Sequence, residues 1–228
     1  MTVSATQVAR RPHHDARATA IALILGAATI LAVLIALGWL VTKPLAHHWP
    51  LSAEDGVNRY FAQHRDHALN GVSGFFSTIA NTTSAIALSA LAFIVIRLLT
   101  HRWTESLFVA TALVAEVSVF LVTTMVVDRA RPMVPHLDTA PPTSSFPSGH
   151  TAAATALYVA VALVARRHGA AWPVWLLVAV PCAVALSRLY RGMHHPSDVL
   201  AGALLGGLCV LLADRVVLTD RLRRPGRR

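Results

Sequence analysis

The segment IALILGAATILAVLIALGWLV, from Ile21 to Val41, decides what kind of protein this is, and no charged residue interrupts the chain from Ala18 to Thr42. A helix rises 1.5 Å per residue, so about 20 apolar residues cross the hydrocarbon core of a bilayer. Arg10, Arg11 and Arg17 precede the segment, as basic residues precede a secretory leader. The apolar run is longer than the roughly 7–15 residues of such a leader, and no small-x-small cleavage site follows it. It reads as an uncleaved first membrane span.

Five further apolar stretches follow: Ser77–Leu99, Glu105–Val127, Gly149–Ala165, Ala171–Leu186 and Val199–Leu218. Arg, His, Pro and Asp fill the breaks, and these residues punctuate helices. Alternation of polar and apolar positions is absent, which argues against a β-barrel. Of the 228 residues 55% are hydrophobic and 14% charged, against about 25% charged in a soluble domain. The expected fold is all-α, a polytopic membrane protein of six transmembrane helices. Residues 1–20 form a cytoplasmic leader, 21–218 the membrane domain and 219–228 a basic tail. Cys182 and Cys209 both lie in apolar runs and form neither a disulfide framework nor a zinc site.

The formal charge of +9 invites a nucleic-acid reading, but the positions of the charges give another. With the N-terminus inside, thirteen of the twenty Lys and Arg residues fall on the cytoplasmic side, six of them in the tail from Arg215 to Arg228. This asymmetry places both termini in the cytoplasm and the loops at 42–76, 128–148 and 187–198 outside. The arginine-rich tail then meets anionic headgroups of the inner leaflet, and no nucleic-acid partner is called for. Between the first two spans, residues 53–76 mix charges with Val57, Tyr60, Phe61, Leu69 and Phe75. The pattern fits either an interfacial amphipathic helix or a loop with a short helix.

Three polar segments emerge on the outer face, where arginine runs against the orientation bias and needs another reason. They are Asp128-Arg129-Ala130-Arg131-Pro132, Phe146-Pro147-Ser148-Gly149-His150-Thr151, and the stretch from Ser187-Arg188 through His194 to Asp198. Arginines offer planar donors suited to phosphate. Ser148 is a candidate N-cap, Gly149 lets backbone approach an anion, and a helix N-terminus is itself an anion site. Two histidines and a carboxylate supply a nucleophile or base, an acid and an orienting group. No paired carboxylates accompany them. The set points to phosphoryl transfer that uses positive charge and positioning, with no metal and no other cofactor.

In these residues the chain resembles the type 2 phosphatidic-acid phosphatase superfamily, integral-membrane lipid phosphatases related to vanadium haloperoxidases. That family's signature is Lys-x6-Arg-Pro, Pro-Ser-Gly-His and Ser-Arg-x5-His-x3-Asp. Here stand Arg131-Pro132, Pro147–His150, and Ser187-Arg188 with His194 and Asp198 at the family's spacing. The resemblance implies that His194 attacks phosphorus and becomes a phosphohistidine, and that Asp198 orients its imidazole. It further implies that His150 protonates the leaving oxygen and then activates water. Arg131, Arg188, Ser148 and the Gly149 N–H would bind the phosphoryl oxygens. Thr124 stands where the family has lysine, and Arg129, as Arg-x-Arg-Pro, would partly compensate. The implied substrate is a membrane lipid phosphate or diphosphate, of phosphatidate or polyprenyl type, handled at the extracytoplasmic face. A lipid-linked phosphotransferase would use the same site, and a lipid transporter would leave the His194–Asp198 spacing without a purpose.

Other polar residues carry plainer readings. Glu116, midway along the third span, is either functional or a carboxyl bonded to a neighbouring helix. Asp128 is expected to pair with Arg129 or Arg131. His195 fits no motif position and reads as loop. His47, His48, His64 and His67 read as interfacial, since no Cys or carboxylate completes a ligand shell. Gly202, Gly206 and Gly207 form a small face for packing against another span.

Overall fold

The computed structural model describes residues 16–170 and 173–219. The leader arginines Arg10 and Arg11 and the tail from Arg221 lie outside the described residues. Eight helices carry the chain: α1 Ala16–Thr42, α2 Glu54–Gln63, α3 His67–Ile79, α4 Thr82–Thr100, α5 Trp103–Val126, α6 Gly149–Arg167, α7 Pro173–Tyr190 and α8 Pro196–Ala213, which runs on as a π-turn to Thr219. No strand occurs among the described residues. Five helices (α1, α4, α5, α6 and α8 with its extension) are long and apolar enough to cross a membrane, and α7 adds a shorter apolar helix over Val174–Tyr190. The protein is an all-α, multi-pass membrane protein.

The stretch read from sequence as one span beginning at Ser77 is divided. α3 ends at Ile79, and the Asn81 side chain accepts from Ser84 N at 2.8 Å to start α4 afresh. Asn in extended backbone is a strong N-cap, so the first three residues of the apolar run, Ser77 to Ile79, belong to the preceding helix.

α6 is the axis of the molecule and packs against α8, α7 and α5. Its buried face is mostly small: Ala152, Ala154, Ala156, Ala160 and Ala162. α8 answers with glycine. A Cβ on Gly202 would lie 2.5 Å from the Ser148 carbonyl oxygen, and one on Gly206 2.5 Å from that of Ala152. These two glycines let the helix backbones touch, as small-residue seams do in membranes, whereas Gly207 faces open space. The small face read from the sequence is thus an internal seam at its first two positions. It fixes the N-termini of α6 and α8 side by side.

Large apolar side chains such as Ile24, Leu25, Trp39, Leu99 and Trp175 are exposed, as lipid contact requires, while Glu116, Thr123, Thr151, Arg188 and Asp198 are buried. The same inversion governs α2 and α3. Tyr60, Val72 and Phe75 point outward, and Glu54, Asn58, Ser73 and Ser77 are buried against the bundle. Residues 53–76 hold α2 and most of α3, two helices with apolar side chains on their outward faces. Asp66 caps the second by accepting from Leu69 N at 2.8 Å. Their polar faces clamp the same end of α7 and α8 that carries the motif residues.

Candidate active site

Ser148 occupies the N-cap of α6 with its backbone extended, yet its hydroxyl does not cap the helix. It shares a hydrogen bond with the Thr151 hydroxyl at 3.0 Å, and its N–H donates to the Asp198 carbonyl oxygen at 2.9 Å. The second and third motif segments are thereby tied backbone to backbone. At Gly149 any Cβ would fall 2.7 Å from the Phe120 ring, so glycine is required for α5 to approach the start of α6. His150 follows, partly buried.

His194 sits in the short link before α8 and is buried. Its Nδ1 lies 2.8 Å from the Ser145 carbonyl oxygen. A carbonyl only accepts, so Nδ1 carries the hydrogen and Nε2 the lone pair. Burial pushes the imidazole down to about 3 against the pull of Asp198, with Arg188 and Arg131 pushing the same way as burial. The ring is therefore neutral at physiological pH, with its free lone pair on Nε2.

Asp198 does not bond that ring directly, since its Oδ2 is 3.9 Å from His194 Nδ1. The carboxylate is instead a hub. It accepts from the Ser145 hydroxyl, from Arg129 Nη1 and, at 2.8 Å, from His195 N. It orders His194 through the segment that supplies the Ser145 carbonyl and through the backbone next to the ring. His195, read from sequence as loop, is the N-cap of α8 and shares a reciprocal capping box with Asp198.

Arg131, Arg188, Gly149, His150 and His194 all line one cavity of about 830 Å³. Arg131 donates through Nη1 to the Met193 carbonyl oxygen at 2.8 Å. Arg188 donates through Nη1 to Ser77 and to Asp138, each at 2.6 Å. In both arginines Nε is buried without a hydrogen-bond partner. Two guanidiniums anchored at one nitrogen, with donors left over beside a cavity, can together take a multivalent anion.

Arg129 is placed otherwise. Its guanidinium is held by Asp198 and, at 2.7 Å, by Glu54, and it bonds Ser197 Oγ at 2.6 Å. It is not among the cavity-lining residues. Thr124, at the position of the family lysine, also stays off the cavity, and its buried hydroxyl has no partner. Asp128 is exposed and pairs with neither Arg129 nor Arg131.

Several residues of the site carry no motif. Asp138 receives Arg188 and Arg191, the latter through Nε at 2.9 Å and Nη2 at 2.6 Å. Burial works to raise its carboxyl, but the hydrogen bond from Arg191, the charges of both arginines and the Ser77 hydroxyl bring it down to about 2. Glu54 also accepts from Ser197 N at 2.6 Å, and Asn58 donates to the His194 carbonyl oxygen at 3.0 Å. Ser187, a signature residue, bonds the Ser73 carbonyl oxygen at 2.7 Å and joins α7 to α3. The mixed charge pattern of 53–76 was the only sequence signal for this clamp.

Residues 105–221 match the PAP2 superfamily, and this stretch contains all three motif segments. The chain belongs to the PAP2 superfamily. Among curated relatives, decaprenylphosphoryl-5-phosphoribose phosphatase of Mycobacterium tuberculosis is 42% identical over 94 residues, 40% of this chain and 49% of that protein. The bacitracin transport permease protein BcrC of Bacillus licheniformis is 40% identical over 68 residues, 30% of this chain and 31% of its own length. This chain thus spans less than half the length of either curated relative. The fold itself is similar to the crystal structure of a transmembrane PAP2-type phosphatidylglycerolphosphate phosphatase from Bacillus subtilis. That likeness has a TM-score of 0.72 and 20% identity, and covers 88% of this chain and 98% of the other. Helices α1 to α4 lie outside the PAP2 match, although α2 and α3 supply Glu54, Asn58, Ser73 and Ser77 to the PAP2 site.

Proposed function

We propose that the protein hydrolyses a lipid phosphate or lipid diphosphate through a phosphohistidine on His194. The observation that carries this reading is the meeting of His194, His150, Arg131, Arg188 and Gly149 on one cavity. In the first half-reaction the His194 Nε2 lone pair attacks phosphorus. The P–O bond to the lipid breaks in line, and His150 donates its proton to the leaving oxygen. In the second, water attacks the phosphohistidine while His150 takes its proton. The P–N bond breaks, inorganic phosphate leaves, and His194 regains its lone pair.

Arg131, Arg188 and the Gly149 N–H hold the phosphoryl oxygens, whose negative charge the two guanidiniums offset, while Ser148, fully buried and not among the cavity-lining residues, bonds Thr151 instead. Arg129 supports them indirectly, by fixing Asp198 against the N-terminus of α8. The positive-inside asymmetry puts both termini in the cytoplasm and the site on the extracytoplasmic face. There the headgroup enters from the interface while the tail stays in the bilayer. Residues 21–218 act as one membrane domain, and the names of the relatives, with their prenyl-linked and glycerol-linked phosphates, fit such a substrate.

The test is phosphate release from phosphatidate, phosphatidylglycerophosphate and a polyprenyl diphosphate by the detergent-purified protein. At least one should be hydrolysed, with activity retained in EDTA and blocked by vanadate, a mimic of pentacoordinate phosphorus. Release from none of them would overturn the proposal, and so would abolition by EDTA alone.

A further inference from the structure

The cavity that holds the phosphate-facing residues continues between α4, α5 and α6, past Ile86, Leu113, Val114 and Val117. That apolar stretch suits a lipid chain, with one exception. Glu116 also lines it. The residue is 4% exposed, and among the described residues neither a hydrogen bond nor an ion pair reaches its carboxyl. Glu116 lies one helical turn, about 6 Å, along α5 from Phe120, the residue whose ring abuts Gly149. Glu116 therefore stands one turn of α5 below the level at which α6 begins. Ser89 of α4 lines the same space.

A methylene chain laid against Glu116 would leave a buried polar group without a partner, which is unfavourable. A hydroxyl on the substrate would satisfy it. We propose that Glu116 is a specificity-determining residue that binds a hydroxyl carried between the reacting phosphate and the apolar tail. The preferred substrate is then a lipid phosphate with a polyol or sugar linker, rather than a bare prenyl or alkyl phosphate. This rests on the phosphatase reading above and narrows it. Discrimination of this kind is strong, because a site arranged to bond a hydroxyl rejects the analogue that lacks one.

The experiment compares kcat/KM within two matched pairs. One pair is 1-oleoyl-glycerol-3-phosphate and its 2-deoxy analogue; the other is dodecyl glucoside 6-phosphate and dodecyl phosphate. The intact protein should favour the hydroxylated member of at least one pair by about tenfold or more, and the pair concerned distinguishes a glycerol hydroxyl from a sugar hydroxyl. In Glu116→Leu that preference should collapse, mainly through a raised KM for the hydroxylated member, while Glu116→Gln keeps most of it. Absence of preference in both pairs by the intact protein overturns the inference, whether or not the variants fold. Equal loss on both members of a pair in Glu116→Leu also overturns it, since that marks a structural role. If the intact protein hydrolyses none of the four yet releases phosphate from phosphatidate, phosphatidylglycerophosphate or the polyprenyl diphosphate, this inference fails and the phosphatase reading stands; release from none of the seven overturns both.

Discussion

At the scale of single residues, the tautomer of His194 is the point on which the chemistry turns. The Ser145 carbonyl, which can only accept, keeps the hydrogen on Nδ1, and burial with two nearby arginines keeps the ring unprotonated. An ordinary imidazole is half protonated near about pH 6.5, whereas the folded pKa of His194 is depressed to about 3. Lowering the pH from 7 to 5 should therefore leave His194 neutral. The 15N shifts of the His194 ring in labelled protein check this, and a midpoint between 6 and 7 would contradict it. Arg188 offers a second test. Its Nη1 is fixed by Ser77 and Asp138, and lysine cannot reproduce a planar donor anchored on one side and free on the other. Arg188→Lys should therefore raise KM for a lipid phosphate about tenfold or more, measured by phosphate release, and an unchanged KM would contradict the role.

At the scale of elements, the pair α2 and α3 decides how firmly the site is held. Glu54 receives Arg129 and the first turn of α8, and Asn58 holds the His194 carbonyl. Removing Glu54 leaves the Arg129 guanidinium short of a partner and loosens the link on which His194 sits. A displacement near 1 Å costs about 100-fold in rate. Glu54→Ala should show a loss of that order in kcat with little change in KM, and Glu54→Gln a smaller one, because the amide still accepts from Ser197 N.

Residues of the site differ in how legible they are in the sequence, for physical reasons. Arg131, His150, Arg188 and His194 could be placed because they stand at fixed short spacings beside span ends, so the topology itself brings them together. Asp198 and His195 share a local capping box, yet only the first belonged to a motif. Glu54, Asn58 and Asp138 were missed as site residues because nothing local marks them. Their partners are 143, 136 and 50 positions away in the chain. Arg129 matched a motif variant, but its partner Glu54 comes from that unmarked helix.

At the scale of the whole molecule, the seam between α6 and α8 carries the site. Gly202 and Gly206 bring the helices into backbone contact, and the Ser148 N–H reaches Asp198 across the gap. Gly206→Val would place carbon against the Ala152 carbonyl and Thr155. Such overpacking costs about 1–3 kcal/mol, so the thermal midpoint in detergent should fall and activity with it. Gly207→Val, facing open space, should leave both near those of the parent. The six apolar helices were readable from composition and length alone. The inward polar faces of α2 and α3 were not, since an interfacial helix with the opposite orientation has the same composition.

The central claim is that phosphate passes through His194. Rapid acid-free quenching of the enzyme with a 32P-labelled lipid phosphate, followed by peptide mapping, tests it most directly. The account predicts an acid-labile, base-stable label on the peptide that contains His194. That label, and turnover with it, should be absent in His194→Ala, although the variant still binds the lipid. Turnover that persists in His194→Ala, or label mapped to another residue, would contradict it.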